Sequence, residues 1–298
     1  MSNIRKKLNV NNFKTKIIQK ERKWQNVCID FAIVYGFVPL WITLFAYGLN
    51  YFHSNYEQLS STFWQNDFDL ALFPMTLLLI GLPLTYAKNS RVEKKSEKLS
   101  EFSGKFMNIF VEVLFTFGYV SWLNLSGWLD QESNNFNFYQ SYLEALLQFA
   151  LFDASSYWTH RLFHSIPQLY KHHKRHHDIT NPVAISFLDM DIVDYLQLHT
   201  FALGGIPVVI GSVCGYKFNY HVIFSSILFV IVQNFIIHCN IKLIGVRQSL
   251  GLISSQIIEN HANHHENSVG NYGIVAPQIW DYLCNTEYSV IKRNKCIE

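Results

Sequence analysis

Charge is scarce in this 298-residue chain: Asp, Glu, Lys and Arg make up 15% of it, against 49% hydrophobic and 16% aromatic residues. Soluble domains carry about a quarter charged residues, so the deficit points to a bilayer around much of the chain. The net charge is only +2 and no arginine-rich stripe exists, so nothing argues for a nucleic-acid partner. The five cysteines (Cys28, Cys214, Cys239, Cys284, Cys296) are odd in number, scattered and without C-x-x-C spacing. Neither a disulfide framework nor a thiolate metal site is indicated. The chain also lacks a G-x-G-x-x-G turn and a P-loop, the signatures by which a protein cradles a nucleotide. It shows no internal repeat and no low-complexity linker, so a single domain is expected.

Long apolar runs are present instead. Residues 1–27 form a basic tail with eight Lys and Arg against Glu21. The run 28–52 is long enough to cross a bilayer as a retained helix, and too long for a signal peptide core. Further runs cover about 70–87, 106–129, 139–157, 195–214 and 220–237. The last two are joined by a few residues and fit either two crossings or a re-entrant hairpin. The loop 88–105 holds Lys88, Arg91, Lys94, Lys95, Lys98 and Lys105, whereas 53–69 and 130–138 hold acids and no Lys or Arg. The positive-inside rule then puts both termini, the 88–105 loop, residues 158–194 and residues 239–298 in the cytosol. The expected fold is all-α: a membrane helical bundle of about four to six spans with a cytosolic, histidine-rich helical cap. Residues 28–298 form one embedded domain behind the tail.

Histidine is the anomaly. Nine of the thirteen fall in three short windows: His160-x3-His164, His172-His173-x2-His176-His177 and His261-x2-His264-His265. On a helix, residues three or four apart share a face about 6 Å apart, so their imidazoles can converge on one ion. Each H-x2-H-H then offers up to three nitrogens and H-x3-H offers two. Eight imidazoles exceed the four ligands of a structural zinc and suit two ions with open positions. Imidazole serves iron, zinc, copper and nickel alike, so ligand type does not choose the metal. His53 and His221 read as hydrogen-bonded core residues, and His172 as a neighbour of the ligands. Asp153, seven residues before His160, is the leading candidate to hold a ring nitrogen in one tautomer; Asp194 and Glu259 are further candidates.

These windows resemble the fatty acid hydroxylase/sterol desaturase superfamily of membrane di-iron oxygenases. The resemblance runs from Asp153 to Thr286, the histidine-box core. Asp153-x3-Tyr157-Trp158-x-His160-Arg161-x2-His164 is similar to its D-x3-Y-W-x-H-R-x2-H. Leu169-Tyr170-x2-His173-x2-His176-His177 is similar to the second box. Asn260-His261-x2-His264-His265 with Asn271-Tyr272-Gly273 is similar to the third, and Trp280-Asp281-Tyr282-Leu283 stands at its W-D-x-L. The resemblance implies His160, His164, His173, His176, His177, His261, His264 and His265 as ligands. It adds His238, near the end of the span before the third box, with His199 as a second candidate. Two departures exist. Asn285-Thr286 replaces the common Gly-Thr and reads as structural. Asn181-Pro182-Val183-Ala184 replaces an A-P-F-G-like segment of methylsterol oxidases and argues against that substrate.

The resemblance further implies two iron ions, with zinc as a possible substitute, and a lipid substrate of sterol or fatty-acyl type. Hydroxylation or desaturation would use molecular oxygen and electrons from a cytochrome b5-type carrier or an NAD(P)H-dependent reductase. Eukaryotic members of the superfamily reside in the endoplasmic reticulum. The rivals are a membrane zinc hydrolase of the ceramidase type, which needs one metal and about three histidines, and a metal transporter, which would place ligands at mid-span.

Overall fold

The computed structural model describes residues 16–19, 24–56, 72, 75–86, 118–119, 122–130, 136–180, 182–197, 204–239, 255–275 and 278–291. The described elements, in chain order, are strand β1 (Lys16–Gln19), helix α1 (Trp24–Tyr56), a π-turn (Leu77–Gly81) running into α2 (Leu82–Tyr86), α3 (Phe138–Ser165) and α4 (Pro167–His177). A 3-10 turn (Ala184–Leu188), α5 (Ile192–Tyr195), α6 (Ile206–Cys214), α7 (Tyr220–His238), α8 (Ser255–Asn267), α9 (Ile279–Leu283) and β2 (Tyr288–Ile291) follow. The protein is thus helical, as its apolar runs predict, apart from one feature. Lys16–Gln19 pairs antiparallel with Tyr288–Ile291, Lys16 opposite Ile291 and Gln19 opposite Tyr288. Both segments are short and rich in β-branched or aromatic residues, which favour an extended ladder. The pairing ties the basic tail to the C-terminal segment.

α1 shows why this bundle suits lipid. Val27, Val34, Val38, Ile42, Ala46 and Leu49 form a buried stripe at helical spacing. The other side is apolar too: Ile29, Phe37, Leu44, Tyr47 and Tyr51 are exposed. Water penalises such a surface and hydrocarbon does not. Among the described residues, Val27–Asn55 and Tyr220–His238 are long and apolar enough to cross a membrane. α7 is the central post, buried along almost its whole length. Phe229 of α7 packs against Trp41 of α1 and Phe149 of α3, with ring centroids 5.6 and 6.1 Å apart. On another side Phe235 meets Phe187 of the 3-10 turn at 4.9 Å.

The remaining runs differ from a plain series of spans. Run 139–157 belongs to α3, which continues to Ser165 and so carries the first histidine window beyond the apolar stretch. Of 70–87 the structure describes only Leu72 and residues 75–86; of 106–129, only 118–119 and 122–129. The loops whose charges set the expected orientation lie largely outside the described residues. α6 has nine residues, about 13 Å of rise, and residues 198–203 before it are not described. It ends at Gly215, whose φ of 66° suits glycine at a left-handed helix stop. Asn219 then caps α7, its side-chain oxygen accepting from the His221 and Val222 amides.

Candidate metal centre

Four helix segments meet at one end of the bundle, and each delivers histidines there. The end of α3 supplies His160 and His164, α4 supplies His173, His176 and His177, the last residue of α7 is His238, and α8 supplies His261, His264 and His265. Pro167 makes this layout possible. It pushes the preceding residue out of the helical region, so Ile166 is extended (φ −108°, ψ 113°). α3 therefore stops and α4 folds back, setting His173 and His177 against His160 and His164.

The nine nitrogens gather in two groups: His160, His164, His173, His177 and His264 in one, and His176, His238, His261 and His265 in the other. Within each group the ligand atoms lie within 4.8 Å of one another. The grouping divides each H-x2-H-H between the two sites. The outer pair of each box, four residues apart, shares a group, and the middle histidine crosses to the other. His173 and His177 send His176 across; His261 and His265 send His264 back. A residue three along a helix points about 60° to one side of the first and one four along about 40° to the other. Each box therefore straddles both groups.

Proton placement decides what this assembly can do. His160 Nδ1 donates to the Tyr272 carbonyl at 2.7 Å, His264 Nδ1 to Gly270 at 2.7 Å, His265 Nδ1 to Ile179 at 3.0 Å, and His238 Nδ1 to Asn234 at 2.8 Å. His173 Nδ1 donates to Asp194 Oδ2 at 2.7 Å. Carbonyls only accept, so those rings carry their proton on Nδ1 and present a bare lone pair at Nε2. Yet Nε2 of His160 faces Nε2 of His173 and of His264 at 3.0 Å each. In the other group His261 Nε2 lies 2.9 Å from His238 Nε2 and 3.2 Å from His265 Nε2. Around His160 bare lone pairs thus face one another at a range where they repel, whereas His261 can place its proton on Nε2. Imidazole nitrogens about 2.0–2.1 Å from a zinc-sized ion stand about 3 Å apart, so a cation turns the repulsion into coordination. His164 Nε2, His176 Nδ1 and His261 Nδ1 have no hydrogen-bond partner among the described residues. The donor set fits two divalent ions, one with five imidazoles and one with four.

Burial forbids the alternative in which protons hold the rings together. It pushes His160 down to about 4, His265 to about 3 and His164 to about 2 from an ordinary 6.5. It holds His173, His176, His177, His261 and His264 well below that value too, neighbouring imidazoles adding to the effect. At neutral pH the rings are uncharged, the form that binds metal.

The supporting partners are partly those the sequence points to. Asp194 orients His173. Asp153 does not orient His160, whose Nδ1 is taken by Tyr272: its carboxyl accepts from the Tyr35 hydroxyl of α1 and has the Trp280 indole beside it. Seven residues put it on the His160 face but about 10 Å down the axis, beyond reach of the ring. Glu259 is exposed on α8. His172 pairs with Asp191 at 2.9 Å outside both groups, and His53 meets His221 at 3.0 Å in the core. His199 lies outside the described residues.

Sequence reasoning passed over the loop that holds His160. Asp281 takes the Tyr272 amide at 2.8 Å, the Gly273 amide at 2.6 Å and the Thr286 hydroxyl at 2.7 Å. This clamps Tyr272 so that its carbonyl faces His160. A Cβ on Gly273 would stand 2.7 Å from Asp281 Oδ2, so only glycine lets the amide close. The Trp-Asp pair was the signal available, without its role. Asn285 has φ 56°, a left-handed conformation that Gly or Asn accepts, which explains its exchange for glycine.

Nine convergent imidazoles, eight of them buried, at the end of an apolar helical bundle form two groups that could each hold a metal ion. The family model for fatty acid hydroxylase matches residues 145–286. Residues 145–286 form a fatty acid hydroxylase domain, the domain of the superfamily of membrane di-iron histidine-box enzymes. No curated protein and no solved structure matches it.

Proposed function

We propose that the protein is a membrane di-iron oxygenase that hydroxylates or desaturates a lipid of sterol or fatty-acyl type. The carrying observation is the pair of convergent imidazole groups, five of whose nine rings have their proton committed at Nδ1 and turn a bare Nε2 inward. His160, His164, His173, His177 and His264 would hold one iron, and His176, His238, His261 and His265 the other. Bound iron supplies the reductive activation of dioxygen and the capacity to oxidise an unactivated C–H bond.

The chain's own residues do the rest. Tyr272, Gly270, Ile179 and Asn234 accept the ring protons and keep each Nε2 bare. Asp194 lies well above the ordinary carboxylate range because of burial, and positive charge beside His173 Nε2 would draw it into its ionised form. Its negative charge then offsets part of the dication through the imidazole. The apolar ends of α3 and α7 exclude water from the reacting carbon. Electrons come from outside the chain, from a cytochrome b5-type carrier or an NAD(P)H-dependent reductase. The histidine layer faces the cytosol, both termini lie on that side, and in a eukaryotic cell the compartment would be the endoplasmic reticulum.

The deciding experiment measures metal content and turnover together in the purified chain. Two irons per chain, with lipid oxidation that needs oxygen and a reductant, is the expected result. One zinc with oxygen-independent amide hydrolysis would replace this reading with a hydrolase, and metal flux without turnover would replace it with a transporter.

A further inference from the structure

Two polar side chains of α7 lack hydrogen-bond partners among the described residues, Gln233 and Ser225. A serine hydroxyl can turn to its own helix backbone, whereas a buried glutamine carboxamide needs an outside partner for both a donor and an acceptor. Gln233 is 3% exposed and has neither. Its neighbours on the helix are provided for. Ser226 donates to Gln148 at 2.7 Å, and Asn234 donates to the Val230 carbonyl at 2.9 Å.

The side of α7 that bears Gln233 is known from its helical companions. Ser226 and Phe229, seven and four residues earlier, share its face. Ser226 meets α3 through Gln148, and Phe229 meets α1 through Trp41 and α3 through Phe149. Gln233 is therefore turned to the seam of α1, α3 and α7, one turn nearer the histidines than Phe229. Five residues separate it from His238, about 7–8 Å of rise. On the α3 side of the same seam the Asp153 carboxyl is bonded to Tyr35 of α1 and has the Trp280 indole beside it. It sits about 10 Å below His160. Two helices thus set polar side chains at similar depth beneath the histidine layer, between aromatic walls, and of the two Gln233 has both its donor and its acceptor unmet.

Such a place suits a hydrocarbon body with one uncharged polar group. A carboxylate or phosphate would be left unpaired in this apolar seam, because Gln233 carries no charge to attract one. We propose that Gln233 is a specificity-determining residue. It hydrogen-bonds a hydroxyl or amide N–H of the lipid that enters this seam, and so sets which carbon reaches the histidines. This rests on the oxygenase reading for the meaning of the distance to the histidines, although the binding itself needs no turnover.

The test uses the full chain in detergent micelles, metal-loaded and metal-free, with two matched probe pairs: cholesterol against its deoxy hydrocarbon, and hexadecanol against its methyl ether. In at least one pair the native chain binds the hydroxyl member about tenfold more tightly, the scale of one well-made hydrogen bond. Gln233→Leu, and Gln233→Met should the first variant fail to fold, erase that preference and keep the native metal content. Equal binding within both pairs by the native chain, as expected if the carboxamide only holds water, overturns the proposal. So does a preference that survives substitution. Because the preference is read on metal-free protein as well, it stands or falls separately from lipid oxidation.

Discussion

His53 and His221 bring ring nitrogens within 3.0 Å, in the range found in the histidine layer, and the contrast shows why closeness alone does not make a metal site. Their contact joins Nδ1 of His53 to Nε2 of His221 at 3.0 Å, and a single proton between the two rings makes it an ordinary hydrogen bond. The layer's contacts join Nε2 to Nε2 at the same range, while backbone carbonyls and Asp194 hold the only protons on the far side of the rings. What separates the regions is where the second nitrogen of each ring is tied.

The largest effect should come from breaking the layer itself. His176→Ala removes a member of the four-imidazole group and His264→Ala one of the five. Either abolishes lipid turnover, and metal content by mass spectrometry falls from about two ions per chain toward one. His221→Ala and His172→Ala, outside the layer, leave both ions in place. Equal metal loss in all four variants would erase the distinction drawn above.

Acid sharpens the same contrast, with smaller effect. The layer's histidines titrate near 6.5 when unfolded and far lower when folded, His160 at about 4 and His265 at about 3. Below 6.5 the unfolded chain binds protons that the folded chain refuses, so stability falls with falling pH. That contribution is whole above about 6.5 and drains away down to about 4 and beyond. At pH 5 each fully shifted ring costs about 2 kcal/mol. Thermal unfolding of metal-free protein between pH 8 and 5 checks this, and a flat profile would contradict buried neutral rings. Bound metal is displaced over the same window, because protons compete for the bare nitrogens.

Asp194→Asn comes next. The amide oxygen can still accept from His173 Nδ1, so the ring keeps its tautomer but loses the neighbouring negative charge. Metal affinity should drop about 10–100-fold, read by competition with a chelator, while Asp191→Asn beside His172 changes nothing. Equal affinities would assign Asp194 a purely structural part.

The layer was unusually legible in the sequence because helical spacing fixes which imidazoles share a face before any tertiary contact forms. His160, His164, His173, His177 and their fellows could be named from three windows, and α1 and α7 from apolar length. The division between the ions was not legible, since it depends on how α4 folds back at Pro167 and how α8 crosses it. The acceptors of the ring protons were invisible for a plainer reason: Tyr272, Gly270 and Ile179 act through backbone carbonyls, which any residue possesses. The paired strands at Lys16–Gln19 and Tyr288–Ile291 join the two ends of the chain, and no local pattern announces so distant a partner.

Asp153 is where pattern misled, and it supplies the smallest test. Seven-residue spacing puts it on the His160 face, but spacing carries no information about depth, and two turns of helix leave it with Tyr35 instead. Tyr35→Phe removes one hydrogen bond to a buried carboxyl and nothing from the layer. It should lower stability by about 1–3 kcal/mol, the cost of leaving a buried polar group unmet, and leave metal content unchanged. Were metal lost along with stability, the carboxylate would be coupled to His160 after all through contacts other than the one it makes with α1. Were neither to change, the Trp280 indole beside the same carboxyl would be the group that holds it.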